Sequence, residues 1–169
     1  MAGLAVIVRA VDETVEQPIH DGRIVELARQ AVGVTSGDAV RVAALVRFVD
    51  TFVEDSYSAE PLTVLDMLAD PKGDCTEHAL LFTTLARSLG LPTREVTGLL
   101  YLGDDVQAFG GHAWNEVVID GRWKSVDATW GEVSPNATHI RLGTRIGENT
   151  SLAGLFGNYR FKVLEIERR

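Results

Sequence analysis

The sequence predicts an α+β fold in which N-terminal helices pack on an antiparallel β-sheet. Apolar residues recur at helical spacing through the first half, and short apolar runs broken by turn residues fill the second. Asp120-Gly121, between two of those runs, is a strong two-residue hairpin signal. The chain has 169 residues, about one ordinary domain, so we read 1–169 as a single unit. A domain of this size buries roughly 70% of its unfolded surface and needs neither metal nor disulfide to hold a core.

Along the chain, residues 4–11 read as an N-terminal strand. Ile24, Leu27, Ala28 and Ala31 follow helical spacing, as do Val42, Leu45, Val46, Val49, Phe52 and Val53, with Gly33 and Gly37 marking the break between the two helices. A short helix is expected after Thr63, with Asp66 three residues on. Pro71-Lys-Gly73 then interrupts the chain. The next helix carries the clearest start signal, because Asp74 at the N-cap and Glu77 at the third helical position form a capping box. Phe82, Leu85, Ala86 and Leu89 make its apolar stripe, and Gly90 followed by Pro92 ends it. Cys75 is therefore its first helical residue. Strands are expected over 94–102, 112–119, 122–129, 139–142 and 160–166, with a connector over 103–111 and a glycine-rich loop over 143–158.

Composition excludes several classes. The chain is 46% apolar and 24% charged, ordinary for a globular protein, and its net charge of −8 comes without a basic stretch, so no nucleic-acid partner is expected. A lone cysteine cannot form an internal disulfide. The apolar run over 4–8 is far shorter than the ~20 residues a membrane span requires, and too short for a signal-peptide core. These absences favour the cytoplasm and no membrane segment, although a piece of a larger exported or membrane protein would read the same way. Asn136-Ala-Thr138 and Asn149-Thr-Ser151 match the glycosylation pattern, and without an export signal we read both as chance.

The hairpin brings chemistry together. With a two-residue turn, Ile119 opposes Arg122, Trp114 opposes Asp127, and His112 opposes Thr129. The side chains of His112, Trp114, Asp127 and Thr129 share one face, and His112 and Asp127 become diagonal neighbours, ~7–8 Å apart at Cα, within reach of a carboxylate–imidazole hydrogen bond. A free thiol near pKa 8.5 is mostly protonated at neutral pH, but a helix N-terminus offers unpaired N–H groups and positive partial charge that favour the thiolate. A cysteine at a helix start beside a His/Asp hairpin is the arrangement acyl transfer needs: a nucleophile, a base and a group that orients the base.

Three motifs in order, Lys72-Gly-Asp-Cys-Thr-Glu-His-Ala79, Gly111-His-Ala-Trp-Asn-Glu-Val117 and Ser125-Val-Asp-Ala-Thr-Trp130, resemble the transglutaminase-like superfamily over about residues 39–142. The first stretch is similar to its bacterial members. The resemblance implies a papain-like α+β core with Cys75 as nucleophile, His112 as base and Asp127 as orienting residue, acting on a peptide or protein substrate through a thioester. Calcium dependence is not carried over, because the chain has no room for the extra β domains of animal crosslinking enzymes. Hydrolysis is therefore expected ahead of transamidation of Gln side chains, and a non-catalytic binding module that keeps the fold is the reading from another class.

In that family an upstream side chain, often aromatic, supplies a second oxyanion donor, and Tyr57 is the candidate here. Trp114 shares the His112 face, as a substrate platform or as sheet packing, and Trp130 is a candidate cleft wall. His139 reads as structural or exposed. Cys75 and His78 have the spacing of a metal half-site that His112 and Asp127 could complete. Tight zinc ligation would block the nucleophile, so no metal and no cofactor are expected.

Overall fold

The computed structural model describes residues 14, 17–57 and 62–143. The expected strands over 4–11 and 160–166, and the glycine-rich stretch beyond Gly143, lie outside the described residues. Helices α1 (Gly22–Val32), α2 (Asp38–Phe52), α3 (Val64–Ala69) and α4 (Cys75–Ser88) come first, with two-residue strands β1 (Glu54–Asp55) and β2 (Lys72–Gly73) among them. The strands β3 (Thr93–Tyr101), β4 (Phe109–Ile119), β5 (Arg122–Val126) and β6 (His139–Gly143) follow, ordered β5-β4-β3-β6 in one antiparallel sheet. This is the α+β arrangement expected. Among the described residues no helix is long and apolar enough to cross a membrane.

Each helix starts where its cap residue dictates. Asp21 accepts from the Arg23 amide, while Thr63 with Asp66 and Asp74 with Glu77 form reciprocal capping boxes. Helix α4 differs from the expected one-sided stripe. Leu81, Phe82, Leu85 and Ala86 are buried, but so are His78, Ala79, Thr83 and Thr84. The reason is its place in the fold: α1, α2 and α3 pack on one side of it and the sheet on the other, so its polar residues are enclosed too. Thr84 copes by donating its hydroxyl to the Leu80 carbonyl at 2.9 Å. Gly90, at φ 76°, closes the helix, with the Leu91 amide reaching back to the Ala86 carbonyl at 2.9 Å. The core joins α1, α2, α3 and α4 to Val117, Val126 and Ala128 of the sheet side. Each of its fully buried Leu, Ile, Val or Phe side chains contributes ~1.5–3 kcal/mol by leaving water.

The β4–β5 hairpin has the register read from the sequence: Ile119 pairs with Arg122, Val117 with Lys124, and Asn115 with Val126. Asp120 and Gly121 both take positive φ, 52° and 72°, as a type I′ turn requires. The ladder then stops earlier than expected. Asp127 leaves β5 and pairs instead with Glu132, their backbones exchanging hydrogen bonds at 2.7 and 2.8 Å. The connector before His112 is also shorter than expected, because β4 begins at Phe109.

Candidate active site

Cys75 is the first residue of α4 and the chain's single cysteine. It is partly buried and unbridged. The Asp74 carboxylate accepts from the amides of Thr76 and Glu77, so the amide of Cys75 is not one that the cap consumes. The helix is tied to the sheet one turn further on. Asn115 Nδ2 donates to the Ala79 carbonyl at 2.9 Å and to Thr83 Oγ1 at 2.8 Å, which fixes the head of α4 relative to β4. His112 stands three residues before Asn115 on the same strand.

The imidazole of His112 lies between two partners. Its Nε2 donates to Asp127 Oδ2 at 2.7 Å, and the ring shares a cleft wall with Cys75. Burial opposes the charged ring, but the interactions with Asp127 and Cys75 outweigh it and push His112 up to about 9. Asp127 is fully enclosed, at 0% exposure. Burial alone would raise its carboxyl, yet hydrogen bonds from His112, His139 and the Thr129 amide hold it below the ordinary carboxylate value. The structure thus joins His112 to a buried Asp127 and sets His112 and Cys75 on one cleft.

The open end is a cleft of about 420 Å³, whose walls include Tyr57, Cys75, His112, Thr129 and Trp130. Tyr57 reaches it through a feature too short to read from sequence. The β1–β2 bridge pairs Glu54 with Lys72 and Asp55 with Gly73, which sets the segment after Asp55 beside the start of α4. The Tyr57 ring is 86% exposed at the rim. Trp130 stacks on His112 with centroids 4.7 Å apart and planes 14° from parallel, leaving its other side to solvent. Trp114 shares the His112 face, but it does not line the cleft as a platform would. It is buried in the sheet, 6.1 Å from the His112 ring, and its indole occupies the space that a side chain at Gly98 would need.

Of the structural and exposed readings of His139, the structure keeps the first and sets the residue beside the site. Its side chain is buried and its Nε2 donates to Asp127 Oδ2 at 3.0 Å, the same oxygen that His112 uses. Asn115 and His139 were the residues whose part in the site sequence reasoning missed. For Asn115 the signal was present, since an Asn inside an apolar strand must find buried partners. For His139 no sequence signal was available, because β6 reaches the site by pairing with β3 rather than with either hairpin strand.

The Cys75–His78 spacing, which would allow a metal half-site, is put to another use. His78 Nδ1 donates to the Asp74 carbonyl at 2.8 Å, and its Nε2 lies 4.0 Å from Asp55. The donor atoms that do converge belong to His112, Asp127 and His139. Their N···O separations of 2.7 and 3.0 Å are those of hydrogen bonds. Ligands held tetrahedrally at zinc distances stand ~3.3 Å apart, so a zinc ion would have to spread this group.

With this geometry established, comparison with known proteins gives a consistent result. The sequence pattern of the transglutaminase-like superfamily matches residues 25–128. Human kyphoscoliosis peptidase is 38% identical over 71 residues, 39% of this chain and 11% of the relative. The mouse protein is 28% identical over 132 residues, 72% of this chain and 20% of the relative. Among solved structures, a candidate cysteine protease from Cytophaga hutchinsonii superposes with a TM-score of 0.68 at 22% identity, covering 82% of this chain and 46% of that one. The periplasmic domain of TgpA from Pseudomonas aeruginosa gives 0.59 at 23%, covering 76% and 48%. The chain therefore spans a fifth or less of the curated relatives and about half of these solved chains. At these identities the structural likeness establishes the fold. The match over residues 25–128, with the fold and the three ordered motifs, shows that this chain belongs to the transglutaminase-like superfamily.

Proposed function

We propose that the chain is a cysteine-dependent amide hydrolase that cleaves a peptide or protein substrate through a thioester acyl-enzyme. One observation carries the reading: the Cys75 thiol at the head of α4 shares the wall of an open cleft with an imidazole that is itself hydrogen-bonded at 2.7 Å to a fully buried carboxylate. That the relatives include a peptidase and a candidate cysteine protease supports it.

In this reading the proton shared by Cys75 and His112 rests on His112 Nδ1, and the Cys75 sulfur attacks the substrate carbonyl carbon. The oxyanion that forms meets the Cys75 amide. As the C–N bond breaks, His112 returns the proton to the departing amine, leaving a thioester. Water then adds to the thioester with His112 as base, and collapse of that adduct frees the acid and restores the thiol. Asp127 keeps the Nε2–H tautomer and stabilises the imidazolium in both halves. Trp130 covers one face of the ring, which keeps water from the His112–Asp127 bond.

The test uses the lone thiol. Alkylation of wild-type protein is expected to be rapid below pH 7 and to collapse in His112→Ala. Turnover of a casein or mixed-peptide substrate is expected to vanish in Cys75→Ala with the fold intact. Equal labelling of wild type and His112→Ala, or turnover that survives Cys75→Ala, would overturn the reading. Addition of a primary amine separates hydrolysis from transamidation: the expected product is the free acid, and an amide product would reject hydrolysis as the main fate.

A further inference from the structure

We infer that His139 is a positioning residue of this site, so that the working unit is Cys75–His112–Asp127–His139. The inference rests on the cysteine-hydrolase reading above.

Three donors converge on Asp127. Oδ1 accepts the Thr129 amide at 2.9 Å, while Oδ2 accepts both His112 Nε2 at 2.7 Å and His139 Nε2 at 3.0 Å. An ionised carboxylate only accepts, so both imidazoles must present N–H. In a neutral ring the Nδ1 of His139 is then an acceptor, and the Thr138 hydroxyl stands 3.1 Å away to donate to it. That bond selects the tautomer with its proton on Nε2, the one the carboxylate needs. The ring is set edge-on to both Trp114 and His112, at centroid distances of 5.2 and 5.7 Å.

The backbone makes room for this contact at one place. Gly98 pairs with His112 on one side and with Arg141 on the other. A Cβ there would sit 2.1 Å from the Ile140 carbonyl oxygen and 2.6 Å from the Trp114 ring. A glycine at this position therefore lets β6 close on β3 and carry His139 to Asp127. Of the charged groups nearby, Glu116, further along the same face, is taken up by Arg94 at 2.5 Å and Arg141 at 3.3 Å. Glu132 meets Asp127 through backbone bonds, and its buried Oε2 has no hydrogen-bond partner among the described residues.

The second donor has two effects. It tethers the carboxylate against rotation, and it withdraws part of the charge that would otherwise act on His112. Without it, the buried His112–Asp127 pair binds its proton more tightly, and the imidazolium becomes a poorer acid toward the leaving amine.

Iodoacetate tests this, because an anionic reagent is drawn by the imidazolium and its rate falls as His112 loses its proton. Wild type is expected to give a bell-shaped rate profile whose upper limb lies near pH 9. His139→Leu is expected to move that limb up by about half a unit or more and to lower the plateau severalfold. His139→Gln, which offers an amide N–H at a similar reach, is expected to hold the limb within about 0.2 units of wild type. Thr138→Val keeps the imidazole, frees its tautomer, and is expected to move the limb in the same direction by less, which decides the matter should His139→Leu fail to fold. An unmoved limb in folded His139→Leu, or in Thr138→Val where the former does not fold, would reject the role of His139 alone. A wild type without the bell would instead reject the cysteine-hydrolase reading on which it rests.

Discussion

Raising the pH from 6 to 10 is expected to strip a definable amount of stability from this protein. His112 is 4% exposed and its value rises from 6.5 to about 9 in the folded state. That difference corresponds to ~3 kcal/mol favouring the protonated ring in the folded state. The sign follows from proton binding. Below 6.5 the ring is protonated whether the chain is folded or not, and the contribution is fully present. Between 6.5 and about 9 only the folded chain keeps the proton, so stability declines by up to ~1.4 kcal/mol per pH unit, and beyond that range the contribution is gone. Asp127 acts with the opposite sign: held below its ordinary 3.8, it contributes stability that is present above that value and lost as the pH falls through its folded value. Urea midpoints of wild type and His112→Gln at pH 6, 8 and 10 measure the first effect, because other alkaline titrations are common to both and cancel. The gap between the two proteins should close as the pH rises. Parallel curves would mean that the His112–Asp127 bond does not bias the proton, and the argument for an imidazolium at this site would fail with it.

Asp127→Asn keeps the shape but offers His112 the wrong tautomer, and a loss in turnover on the order of 10³–10⁴ is expected with KM little changed; a loss below tenfold would remove Asp127 from its orienting role. Asn115→Leu deprives α4 of its two side-chain bonds to β4 and should cost ~1–3 kcal/mol by thermal or urea unfolding, with a further loss of Cys75 alkylation rate at matched folded fraction. An alkylation rate that survives unchanged in the folded variant would show that Asn115 braces the fold and not the site. Tyr57→Ala should raise KM about three- to tenfold and leave kcat nearly constant, because an 86% exposed ring gains contact only when substrate covers it. The reverse split in Tyr57→Phe, with kcat lowered and KM unmoved, would identify its hydroxyl as an oxyanion donor.

How much of this was legible in the sequence depended on the range of the interaction. The capping boxes at Thr63 and Asp74 are contained within four residues each, and both appear where the letters put them. The hairpin register needed only Asp120-Gly121, because two residues with positive φ leave one way to pair the strands. That register was enough to bring His112 and Asp127 together. Where the reading failed, the cause lay at longer range. The α4 stripe was too narrow because periodicity on one helix cannot reveal that layers will cover both sides of it. The early end of β5 escaped notice because Asp127 trades its ladder partner for Glu132 across a turn that carries no proline or Asn-Gly mark.

His139 marks the limit of such reading. Alone it is a polar residue at the start of a five-residue strand. Nothing within ten residues of it says that its strand will skip the hairpin and pair with β3. The clue lies forty-one positions earlier, in Gly98, whose missing side chain permits the approach. Such a glycine has no meaning until His112, Trp114 and Ile140 are seen around it, and a histidine has no meaning until its carboxylate is found. Local patterns place the nucleophile and its base, whereas the residue that holds their carboxylate is defined only by the closed sheet. The order of inference is thereby set by the physics: caps and turns fix segments, segments fix register, and register alone decides which distant side chain completes a buried hydrogen-bond network.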